Sequence, residues 1–134
     1  MPTGRSLSSC LGGGVARPSV LMCDPFGISL AIATRPRHLA WLERQFPGVD
    51  FDPSTAAWTA DVLGTEGQGT YDVVVWVDRK RWREPRSRAI VSAHEGAHVA
   101  QFMLDHIGEQ QTNEVHAYLT DWAAGHIWDA LHAR

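Results

Sequence analysis

Hydrophobic positions along the chain switch between two periods, and the switches mark its elements. Residues 27–34 (GISLAIAT) are short, β-branched and apolar and stop at Arg35-Pro36-Arg37, which predicts a buried strand. Over residues 37–46, Leu39, Leu42 and Phe46 recur on one stripe before Pro47-Gly48, predicting an amphipathic helix with a Pro-Gly stop. Residues 55–63 and 70–79 read as two strands around the Gly-rich turn GTEGQG, a hairpin. In the second of these, Val74, Val75, Trp76 and Val77 run without alternation, as in a strand covered on both faces. The competing expectation puts that strand at a sheet edge, where it would align an extended peptide just ahead of the next helix.

From Pro85 the pattern turns helical through Ile90, Val91, Val99, Phe102 and Leu104, breaks over residues 107–113 (IGEQQTN), and resumes as a second helix to the end. Residues 1–26 are dense in Gly, Ser and Pro, show neither period, and read as an extended arm ahead of a single domain at 27–134. No internal repeat is visible. The order strand, helix, strand, strand, helix, helix predicts an α+β fold, a small β-sheet packed on the first long helix with the C-terminal helix beside it.

A chain of 134 residues buries one modest core, which leaves little room for a separate substrate domain. The formal charge of -3 gathers neither nucleic acid nor a membrane surface, so neither is an expected partner. Basic residues cluster from Arg79 to Arg88, a run that reads as a solvated loop or helix start more readily than as a phosphate contact. Cys10 and Cys23 sit in no ligand-spaced pattern; a reduced, intracellular setting fits them better than a disulfide, although one pair is available. No secretory leader and no transmembrane run are apparent.

The chemistry concentrates in His94-Glu95-Gly96-Ala97-His98. Residues four apart on a helix stack one turn from each other, the separation at which two imidazoles reach one zinc ion at about 2.0–2.1 Å. Glu95, one position round the helix, suits a general base acting on water rather than a ligand. At this chain's His and Glu frequencies, roughly 0.02 such matches arise by chance, so the trio outweighs the reading of two satisfied core histidines.

A catalytic zinc takes three protein ligands and an open position. Glu114, sixteen residues past His98 and near the start of the last helix, is the first candidate for the third; it is also a first-turn acid that the helix dipole favours. His116, His106 and Glu109 are its rivals. Tyr118, one turn after Glu114, either donates to an oxyanion or packs between the helices with its hydroxyl in water. Asp105 and Asp121 are placed to orient a ligand histidine or to sit on the helix surface, and Trp122 and Trp128 read as core. Gly96 costs a helix about 1 kcal/mol relative to alanine, which suggests a neighbouring backbone that needs the space.

The pattern HEGAH followed by TNE and a further helix resembles the zincin metallopeptidases of the Glu-ligand branch, the gluzincins. VSAHEGAHVAQFMLDHIGE with NEVHAYLTDW is also similar to small metallopeptidase-like proteins encoded by tailed phages and prophages. The resemblance covers about residues 70–130. It implies a minimal zincin-like fold, Zn2+ on His94, His98 and Glu114, Glu95 as base, and peptide-bond hydrolysis in a bacterial host cytoplasm or a phage virion. Three departures stand out: the larger gluzincins place the ligand Glu farther downstream than Glu114, Tyr118 replaces the Asp usual one turn after that Glu, and the substrate-binding subdomain is missing. The alternative implication is a head-tail or tail component in which zinc staples two helices and the arm and basic segment hold neighbouring phage subunits.

Overall fold

A computed structural model of the chain describes residues 17–23, 26–62, 71–107 and 113–133. Residues 1–16 of the expected arm with Cys10, the turn at 64–69 and Glu109 lie outside the described residues. The architecture is α+β: four strands and three helices, in the order β1 (Ser19–Cys23), β2 (Ile28–Ala33), α1 (Pro36–Gln45), β3 (Ala57–Asp61), β4 (Val73–Val77), α2 (Pro85–Ile107) and α3 (Asn113–His132). The sheet order is β1-β2-β4-β3; β1 pairs antiparallel with β2, β2 parallel with β4, and β3 antiparallel with β4.

The period of two distributes side chains to two cores. Val73, Val75 and Val77 of β4, with Leu30 and Ile32 of β2, face α2 and α3, where Val99, Met103, Leu119 and Ile127 complete one cluster. Val74 and Trp76, with Ala31 and Ala33, face the other way onto Leu39, Leu42 and Phe46 of α1 and onto Phe51. The unbroken Val73–Val77 run therefore belongs to a strand covered on both faces, and all five residues are buried. β4 lies between β2 and β3, which corrects the expectation that it forms an edge; the edge nearest α2 is β3.

The segment read as an arm ends in structure. Ser19–Cys23 pairs across β2 in the register Ser19↔Ile32 to Cys23↔Ile28, with Leu21 and Cys23 buried on the α2/α3 side and Met22 exposed. Its five residues were masked in the sequence by the surrounding Gly, Ser and Pro. The basic run after β4 folds back on the main chain: Arg81 Nη1 donates to the Ser54 carbonyl at 2.6 Å, Arg83 Nε to Lys80 at 2.9 Å and Arg88 Nε to Trp82 at 2.6 Å. No helix among the described residues is long and apolar enough to cross a membrane.

Candidate functional site

Helix geometry decides what each face of α2 meets. A Cβ placed on Gly96 would lie 3.0 Å from both the Ala124 nitrogen and the Thr120 carbonyl oxygen, so α3 backbone occupies the space that glycine leaves. That is the neighbour the glycine anticipates, and it fixes Gly96 on the α3 side. His94 and His98 each stand two positions from Gly96, which at about 100° per residue turns both roughly 160° away from α3. Both imidazoles are accordingly exposed. They share a face, with ring centroids 5.0 Å apart and planes at 76°.

Glu95 lies between these faces and turns inward. It is 5% exposed, and Thr59 of β3 donates its hydroxyl hydrogen to Glu95 Oε1 at 2.7 Å. Its other oxygen stands 3.9 Å from Nε2 of the exposed His94. Three turns farther along, His106 Nε2 meets Asp61 Oδ1 at 2.9 Å, a second polar tie between α2 and β3. Position 59 carries no motif, so sequence reasoning did not single it out; only the even–odd phase of β3 turns it towards the helix.

Between the start of β3 and α2 runs a groove of about 350 Å³ lined by Ala57, Trp82, Ile90, Val91, His94 and Glu95, among others. Its walls are apolar, with Ile90 57% exposed along it, and its polar groups are the histidine and the carboxyl. The adjoining edge of β3 has a definite hydrogen-bonding phase. Val62 donates its N–H to the Asp72 carbonyl and Asp78 donates to Ala56, so the even-numbered residues of β3 bond β4. The N–H and C=O groups of Ala57 and Thr59 then point to the edge that no strand among the described residues covers.

The structure brings together His94, His98 and Glu95, and it does not bring Glu114 to them. Glu114 lies in the first turn of α3, exposed, six residues before the Thr120 carbonyl that abuts Gly96, or about 9 Å along the helix axis. It is also across the body of α2 from the histidine pair. Tyr118 is 50% exposed on the same helix. His116 stays on α3, where Thr120 Oγ1 lies 3.4 Å from its Nδ1. Asp105 accepts from Gln101 Nε2 at 3.3 Å rather than from a histidine ring. Trp122 is in the core, while Trp128 is half-buried with its ring 3.9 Å from that of His132.

Two imidazoles in this arrangement suit two positions of a divalent cation. A third protein ligand is not assembled: among the described residues, no three His, Cys, Asp or Glu side chains converge closely enough to hold a metal. Compared with protein-family models, curated proteins and solved structures, the chain gives no match.

Proposed function

We propose that the chain is a zinc-dependent, peptidase-like protein that acts on an extended peptide lying in the groove between β3 and α2. The observation that carries this reading is the adjacency of three features: an exposed histidine pair, a carboxyl group turned to a groove floor, and an open strand edge beside it. The N–H and C=O groups of Ala57 and Thr59 would align the peptide by adding a strand to the sheet. Thr59 holds Glu95 in one orientation, which leaves its second oxygen to accept a proton in the groove. A zinc ion on His94 and His98 would supply Lewis acidity there.

The donor set fits that ion only in part. Two imidazoles are half of the usual tetrahedral set, and the remaining positions fall to groups outside the described residues, to solvent or to the peptide. No support falls to a zinc that staples α2 to α3, because the pair faces away from α3. The zincin-like fold and the phage or prophage origin rest on the HEGAH and NEVHAYL resemblance.

The test is cleavage of a fluorogenic peptide library by the zinc-loaded full chain, beside Glu95→Gln and His98→Ala. The expected result is zinc-dependent cleavage that Glu95→Gln abolishes while it still binds zinc. Cleavage undiminished in Glu95→Gln, or none by the parent chain, counts against the hydrolase.

A further inference from the structure

The parallel pair β2 and β4 ends at its carboxyl side in a second hollow, of about 360 Å³, that shares no lining residue with the groove beside Glu95. Thr34, Arg35, Arg37, Asp78, Arg79 and Lys80 line it. Four cationic side chains therefore face one carboxylate, and that carboxylate is engaged within its own turn. Asp78 Oδ1 accepts the Lys80 N–H at 3.0 Å, and Oδ2 stands 3.3 Å from Arg81 Nε. Arg79 is anchored, with Nη1 donating to the Ala133 carbonyl at 2.9 Å. Burial, and then the neighbouring charges of Arg35 and Arg88, hold its guanidinium below the usual arginine range.

Two further groups open onto the same place. Thr34 is 3% exposed; its N–H donates to His38 Nδ1 at 3.0 Å and its carbonyl accepts from Arg79 at 3.2 Å, but its hydroxyl has no partner among the described residues. The ten-residue helix α1 begins here with no side-chain cap: Arg35 is extended at the N-cap and Pro36 brings no N–H. The positive end of α1's dipole thus adds to the field of the arginines.

We infer that this hollow binds a phosphate group, free or as the ester of a small molecule, between Arg35, Arg37 and Lys80, with the Thr34 hydroxyl and the Arg37 N–H in the first turn of α1 as further donors. Crevices at the carboxyl ends of parallel strands are where open sheets take ligands, and a helix start favours an anion. The volume is that of a small-molecule site. An oxyanion there converts mutual repulsion among the cations into attraction, which distinguishes the hollow from an ordinary basic surface.

The experiment is titration of the full chain at constant ionic strength with inorganic phosphate and with glycerol 3-phosphate, read by calorimetry and by the 31P line, with sodium chloride as control. Arg37→Gln and Thr34→Val remove one charge and one hydroxyl, and thermal unfolding confirms that each folds. Saturable binding, weakened at least about tenfold in both variants, is the expected result. Ester binding as tight as phosphate identifies a phosphorylated metabolite, and phosphate alone a free anion. No saturable binding up to about 10 mM, or equal binding by the parent chain and both variants, overturns the inference.

Discussion

Gly96→Ala and Gly125→Ala make the same chemical change in two helices and should have opposite effects. In both, alanine gains up to about 1 kcal/mol of helix propensity over glycine. At Gly125 a Cβ meets nothing within 4 Å, so the gain is realised in full. At Gly96 the methyl arrives 3.0 Å from two α3 backbone atoms and 3.1 Å from the Ala124 Cβ. Ordinary contact lies several tenths of an ångström farther out, and backbone cannot rotate aside as a side chain tip can. Overpacking of this kind costs roughly 1–3 kcal/mol. Against the propensity gain, the net loss is about 1 kcal/mol, or a fall in Tm of roughly 3–6 °C for a chain of this size. Circular dichroism at 222 nm through thermal and urea unfolding reads both variants against the parent chain. If Gly96→Ala stabilises as much as Gly125→Ala, α3 does not press on α2 at that point, and nothing then turns His94 and His98 away from α3.

Thr59→Val removes the hydroxyl that serves the buried Glu95 carboxyl and leaves that oxygen without its partner; the expected destabilisation is about 1–3 kcal/mol by urea unfolding. A loss within experimental error would mean the groove is wetter at Glu95 than its burial indicates. His126 packs edge-on to Trp122 with centroids 5.0 Å apart, and burial lowers its pKa below the ordinary 6.5, opposed by Asp129. The folded chain then binds this proton less readily than the unfolded one. Its contribution is undiminished above 6.5 and is lost as pH falls through that value. The urea midpoint should therefore drop between neutral pH and about pH 5, and drop less in His126→Gln; identical slopes would show that His126 does not contribute to the pH dependence.

Much of the fold was legible because its signals are local. The Val73–Val77 run carries its own statement of two-sided burial, and the Leu39, Leu42, Phe46 stripe states one-sided burial. Strand order is a non-local property, so nothing at residues 70–79 could show that β2 and β3 flank them and that β3 takes the edge. The histidine pair was readable from its spacing, and its shared exposed face follows from the same arithmetic. The placement of Glu114 was not. A count of sixteen residues from His98 to Glu114 says nothing about how far α3 slides along α2 or which face it takes. Gly96 was the one residue that carried that information, since a helix pressed against glycine lies on its side, away from both histidines. The phosphate hollow was illegible for a related reason: Thr34, Arg35 and Arg79 come together only through the parallel pairing of β2 with β4.

On the proposed function, His94 and His98 hold the ion from the face of α2 that borders the β3 groove, without α3. Zinc calorimetry on the parent chain and on His94→Ala, His98→Ala and Glu114→Ala tests it most directly. The expected result is one ion per chain, affinity lost by at least about a hundredfold in either histidine variant, and less than about a twofold change in Glu114→Ala. A loss in Glu114→Ala as large as that in the histidine variants, or zinc retained without His94 and His98, would contradict it.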